Sequence, residues 1–365
     1  MRKNIYFYWW ALPLVLLGFF SKAQAQFTTF QAASMVIGQS NFNTIGVVVD
    51  QAHVPHASAS AISAKGHFAV ACSNEGRIMI WNTIPTNSLQ PADVVVGKPD
   101  FVSAAPGVSQ TLMNSSMGVA FSPDGEKLIA SDSGNHRVLI WNSIPTNNGQ
   151  AADIVLGQTD FNTGTTDGNP TATKFEYPTG IFVAPNGQMF VCDTLNNRVL
   201  IYNDIPEASN TPADIVVGQN NLTQDSNANG IKFVNHPEYV AVSPDGRLIV
   251  GDRDNFRATI WNTIPTANGA PAEIAIGFGG FPGDGDPGCD DVRFQSPTGV
   301  TVSPKGILAI GDTENNRILI YNQVPDTNFP AANAVLGQPN FTANMPLNTG
   351  TNAQSMVRPF GINLI

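Results

Sequence analysis

Short apolar runs recur along this chain, and many lack the alternation of a strand with one wet face. Ile78-Met79-Ile80-Trp81 and Val138-Leu139-Ile140-Trp141 are apolar throughout, a pattern that expects cover on both faces of a sheet. Turn chemistry separates the runs. Pro123-Asp124-Gly125 and Pro244-Asp245-Gly246 suit tight hairpins, because glycine tolerates positive φ and proline presets its backbone angle. Asn196-Asn197 and Asn315-Asn316 suit a second reversal, since asparagine enters the left-handed region more cheaply than most residues. Residues 178–219 hold four such runs, rich in β-branched and aromatic residues. No stretch after residue 25 sustains a helical period. The unit predicted is a four-stranded antiparallel sheet.

That unit is copied. Trp-Asn-x-Ile-Pro begins at Trp81, Trp141 and Trp261, and returns as Tyr-Asn-x-Ile/Val-Pro at Tyr202 and Tyr321. A glycine closing an apolar run falls at Gly38, Gly97, Gly157, Gly218, Gly277 and Gly337. Both markers keep a period of about 60 residues, which means one supersecondary unit repeated side by side. Sheets stacked radially like blades cover one another, and a ring of them protects the edges. The fold read is all-β, a β-propeller of about six blades. First strands centre on Ser58, Val119, Ile181, Val240, Val300 and Phe360, whereas second and third strands occur only five times. The last blade is therefore expected to be incomplete or shared by the two termini, with residues 34–39 as its outer strand.

The stretches Asp193–Ile201 and Asp312–Ile320, each following Pro-Thr-Gly at Pro178 and Pro297, resemble the NHL-repeat family of β-propellers. The resemblance spans residues 34–365. It implies the propeller fold. That family includes secreted lyases, lactonase-like hydrolases and interaction scaffolds, so the resemblance leaves the activity open.

Residues 1–25 stand apart from the repeat. Arg2-Lys3, an apolar run from Ile5 to Phe20 and Ala23-Gln24-Ala25 read as a secretory signal peptide. Residues 26–365 are then a single propeller domain, secreted or periplasmic, of a bacterial-type envelope or exterior. No stable membrane anchor remains after cleavage. Removing Arg2, Lys3 and Lys22 takes Lys+Arg from 18 to 15 against 28 Asp+Glu, a net of −13. An acidic surface argues against nucleic acid as a partner. Cys72, Cys192 and Cys289 have no metal-ligand spacing, and the first two read as core residues.

The long, uneven loops join each outer strand to the next inner one, and variable loops on a rigid scaffold are where binding is placed. Aligning the units puts His56, Ser115, Tyr177, His236, Ser296 and Arg358 at the mouth of the central channel. The primary reading is a binding module that recognises a protein or carbohydrate there, with Ser115, Ser296 and Tyr177 in contact. The alternative is a metal-dependent lyase or lactonase-type hydrolase. His56 and His236, on opposed units, would then hold zinc or exchange protons, assisted by Tyr177 or Arg358; the NHL-like lyases use channel-facing histidines in this way. Two loops suit calcium, a hard cation. One carries Asp225, Asn227 and Asn229; the other carries Asp284, Asp286 and Asp290. The repeated pairs Asp132/Arg137, Asp193/Arg198, Asp252/Arg257 and Asp312/Arg317 read as structural fastenings, since no catalytic group is needed four times.

Overall fold

Each apolar run becomes a strand because turn residues stop it on both sides, and sets of four pair into a sheet. The computed structural model describes residues 27–44, 46–277, 287–345 and 352–364. The first blade is β1 (Ala57–Ile62), β2 (Phe68–Cys72), β3 (Arg77–Trp81) and β4 (Val94–Val96). The second is β5 (Val119–Phe121), β6 (Leu128–Asp132), β7 (Arg137–Trp141) and β8 (Ile154–Leu156). The third is β9 (Pro178–Val183), β10 (Met189–Asp193), β11 (Arg198–Tyr202) and β12 (Ile215–Val217). The fourth is β13 (Pro237–Val242), β14 (Leu248–Asp252), β15 (Arg257–Trp261) and β16 (Ile274–Ile276). The fifth is β17 (Pro297–Val302), β18 (Leu308–Asp312), β19 (Arg317–Tyr321) and β20 (Ala334–Leu336). Strands follow chain order across every sheet, and neighbouring strands are antiparallel.

The two-sided apolar pattern has its cause here. The main clusters lie between blades: Ile78 and Ile80 of the first meet Leu128, Leu139 and Trp141 of the second. Phe190 and Ile201 of the third likewise meet Leu248 and Trp261 of the fourth. A fully buried side chain of this size contributes about 1.5–3 kcal/mol. The Trp marker also closes a connection. The indoles of Trp81, Trp141 and Trp261 donate to the carbonyls of Gln90, Gln150 and Ala270 at 2.9, 3.0 and 2.9 Å. The marker glycines take φ between 81° and 119°, a region in which side chains are strained.

The expectation of about six blades is corrected. The described residues form five four-stranded sheets. At the sixth place around the ring lie two terminal segments with no strand in either. Residues 359–364 take the inner position: Gly361 N–H donates to Ser58 O at 2.9 Å, and Leu364 N–H to Thr301 Oγ1 at 3.2 Å. Residues 27–38 take the outer one, with Phe30 N–H donating to Val335 O at 2.8 Å. Adjacent strands stand about 4.8 Å apart, so an inner and an outer segment without the two middle strands do not form a ladder; the termini meet instead through residues 353 and 354, with Ala33 N–H donating to Ala353 O at 2.6 Å and Gln354 Nε2 to Phe30 O at 3.0 Å. A cavity of about 200 Å³, lined by Ile37, Val54, Phe68, Val70 and Gly361 among others, lies beside them.

Ring closure is tight. A Cβ added at Gly299 would fall 2.2 Å from Phe360 O, and one at Gly361 would fall 2.2 Å from Ser58 O. Gly361→Ala is expected to destabilise the fold by about 1–3 kcal/mol through overpacking. Gly46→Ala, with nothing within 4 Å, should be near neutral. Scanning calorimetry of the two variants checks the contrast.

Candidate functional site

The turn between second and third strands fastens each blade to the loops. In the third blade Arg198 Nε donates to Asp193 Oδ2 at 2.7 Å, both fully buried. Asp193 Oδ1 accepts the Glu176 N–H at 2.6 Å, and Arg198 reaches the carbonyls of Leu222, Thr171 and Lys174. Asp132/Arg137, Asp252/Arg257 and Asp312/Arg317 repeat the pair at 2.7, 2.6 and 2.8 Å. Burial pushes the four carboxyls up, against the pull of their arginines. In the first blade Cys72 stands in the Asp place, and Arg77 Nε has no hydrogen-bond partner.

The mouth residues follow from the same turns. His56, Ser115, Tyr177, His236 and Arg358 all have φ between 47° and 59°, the left-handed region; Ser296 is outside that group. The N–H groups of Tyr177, His236 and Arg358 donate to His136, Asn197 and Asn316 of the preceding blade at 3.1, 3.0 and 3.0 Å. In blades two, three and five His136, Asn197 and Asn316 thus latch the next segment of the ring, whereas blades one and four have Gly76 and Phe256 at this place. The mouth side chains then pair locally. His56 Nδ1 meets Glu75 at 2.9 Å, Ser115 meets Tyr177 at 3.1 Å, His236 meets Asp254 at 2.5 Å, and Arg358 meets Glu314 at 2.5 Å. No hydrogen bond or ion pair joins His56 to His236; each faces a carboxylate of its own blade. Ser296 is buried.

Blade four carries charge at the channel end, where no other blade does. Blades three and five hold a Thr–Thr pair at the channel end, Thr179 with Thr194 at 2.7 Å and Thr298 with Thr313 at 2.5 Å. Blade four holds Glu238 with Arg253 at 2.7 Å in those places. Arg253 also lies 3.5 Å from Asp254, which is paired with His236. His236, Glu238, Arg253 and Asp254 thus form one charged cluster. Burial pushes the Glu238 carboxyl up to about 7, with Arg253 opposing. Glu238 Oε2 is buried without a partner. The His236 contact holds Asp254 below the usual carboxylate range.

The next position is also changed. Gly118, Gly180, Gly299 and Gly361 line up around the ring, each against a neighbouring backbone carbonyl. Blade four has Tyr239 instead, and its hydroxyl crosses to Ser58 O at 2.6 Å and Met117 O at 3.0 Å. Its ring meets Phe360 edge-on at 6.1 Å. The channel is therefore plugged, and the mouth is a funnel with a floor. Sequence reading missed Glu238, Tyr239 and Arg253, although the break in the repeat was there to be seen.

The cation sites are placed as follows. Asp225, Asn227 and Asn229 are exposed on their loop, and the Asp225 carbonyl accepts from Asn197 at 2.9 Å. Asp284 and Asp286 lie outside the described residues. Asp290 is taken by Arg293 at 2.7 Å and by the backbone of Val292 and Arg293. Among the described residues no group of three or more His, Cys, Asp or Glu could hold a metal ion. Cys72, Cys192 and Cys289 are free thiols, and burial pushes Cys72 up to about 12. The loop after β8 adds a polar cleft of about 270 Å³, lined by Gln158, Thr163, Asp167 and Lys174 among others. No described helix is long and apolar enough to cross a membrane.

Comparison with known proteins bears on fold. The NHL repeat model matches residues 294–321, and the WD domain, G-beta repeat model matches residues 111–142. No curated protein matches the chain. Among solved structures, virginiamycin B lyase from Staphylococcus aureus is similar at a TM-score of 0.40 and 12% identity, over 75% of this chain and 69% of that one. At that distance it carries no weight for activity. Four-stranded blades around a channel make this chain a β-propeller, and the match over residues 294–321 shows an NHL repeat in its fifth blade.

Proposed function

We propose that this protein is a secreted or periplasmic recognition module that binds a protein or carbohydrate partner at the funnel on its long-loop face. The observation that carries the reading is the break in blade four. A repeat keeps what its fold needs, so Glu238 and Arg253, standing where blades three and five hold Thr179/Thr194 and Thr298/Thr313, are a departure that the scaffold does not require, and His236 and Asp254 extend it into one charged cluster. They sit where loops converge on a rigid ring, the usual place for a grafted site. Tyr239 floors the funnel and limits what enters to a terminal group of the partner. Acceptors at Glu238 and Asp254 and a donor at Arg253 suit hydroxyl, amide or carboxylate groups.

The test is a panel of immobilised glycans and envelope or secreted proteins, read by biolayer interferometry with the mature protein. A ligand whose affinity falls about tenfold or more with Arg253→Ala supports the reading. Binding that ignores both Arg253→Ala and Arg358→Ala would move the site elsewhere.

One observation favours the alternative of a lyase or hydrolase. Glu238, titrating at about 7 beside the His236–Asp254 pair, has the protonation behaviour of a general acid or base. Turnover of a lactone or cyclic ester that Glu238→Gln abolishes, with KM little changed, would put catalysis ahead of recognition.

A further inference from the structure

A large cavity lies on the opposite face. It measures about 690 Å³ and is lined by the first-hairpin segments of four blades, with Ile62, Phe182, Val242, Ile264, Val302 and Leu364 supplying its apolar wall. No Asp, Glu, Lys or Arg lines it. A narrower cavity of about 200 Å³ shares Ile62 and Phe182 with it and runs inward to Tyr239. The Tyr239 hydroxyl is engaged by Ser58 and Met117 on the far side. The channel is thus a blind shaft, wide and apolar at its opening and narrow at its end.

We propose that this shaft binds the acyl chain of a long-chain fatty acid, tail inward. Its volume falls in the range of about 300–1,000 Å³ usual for small-molecule sites. An apolar cavity gains little from water and takes apolar ligands. A polar ligand would lose its hydration to a wall with no charged group. A single alkyl chain has no such cost. The head group has a complement at the rim. Lys305 follows the lining residue Pro304, is exposed, and has no ion-pair partner among the described residues, whereas Lys65 beside Ala64 is paired with Glu126. The carboxylate rests near Lys305 and the chain points at Tyr239. This site is independent of the loop-face reading, from which Tyr239 separates it.

The test is titration of full-length secreted protein with cis-parinaric acid, read by fluorescence and displaced with palmitate. One saturable site per chain, displaced by palmitate, is the expected result. Ala64→Trp, on an exposed turn, and Val302→Glu, within the wall, should each weaken binding about tenfold or more. Their melting temperatures establish that both stay folded. Lys305→Glu should weaken palmitate but leave hexadecanol unchanged. Failure to saturate, or unchanged affinity in folded Ala64→Trp and Val302→Glu, overturns the proposal.

Discussion

Arg198→Ala is expected to destabilise the propeller by about 3–5 kcal/mol, the cost of leaving a buried carboxylate without its cation. Asp193 and Arg198 are both fully buried, so no water replaces the lost partner. The guanidinium also satisfies the carbonyls of Leu222, Thr171 and Lys174, which belong to the long loops on either side. A domain is stable by only about 5–15 kcal/mol, so one such loss takes a large part of the total. Urea unfolding of the variant checks this. The double variant Asp193→Leu with Arg198→Met should recover only part of the loss. It removes the stranded charge but leaves the Glu176 N–H and the three carbonyls unmatched. A loss below about 1 kcal/mol in Arg198→Ala would show that the pair is not what holds the turn.

The second large effect is a pH dependence set by Glu238. Its folded-state carboxyl titrates at about 7 against an ordinary 4.5, because burial penalises the anion more than Arg253 favours it. Between those values the folded state binds a proton that the unfolded state has released. Stability from this group is therefore fully present below about 4.5 and is lost as pH rises through about 7. The span corresponds to about 3 kcal/mol, at roughly 1.4 kcal/mol per unit. Arg253, Asp254 and His236 act on this carboxyl. Asp254, lowered by His236, acts in the opposite sense and below the ordinary 3.8, outside this window. Comparing wild type with Glu238→Gln at pH 4.5 and pH 7.5 isolates the contribution, since the buried Asp132, Asp193, Asp252 and Asp312 are common to both. A difference that does not change between the two pH values would place the Glu238 carboxyl in water.

Which residues were legible beforehand depends on how local their causes are. The repeated Asp–Arg pairs were readable as fastenings because four copies at one spacing point to the scaffold, and burial of all four bears that out. His56 and His236 were brought together by an alignment of chain positions. The structure gives each a carboxylate of its own blade, because the left-handed entry residue turns its side chain toward the adjacent second-to-third turn. Glu238 and Arg253 escaped notice because neither fits a motif; only a comparison of each unit with its siblings marks them.

The sequence by itself determined the blade. Turn residues, β-branched runs and the Trp marker act within some sixty residues, and the same local chemistry folds each copy into the same sheet. The number of completed blades and the state of the channel were decided only by the tertiary structure. Ring closure depends on whether segments some three hundred residues apart find ladder partners, and residues 27–38 and 359–364 find contacts without strands. The plug depends on one side chain crossing from the fourth blade to carbonyls of the first and second, a contact between residues 181 apart in sequence for Ser58. Local pattern carries no information about such distances; packing around a common axis does.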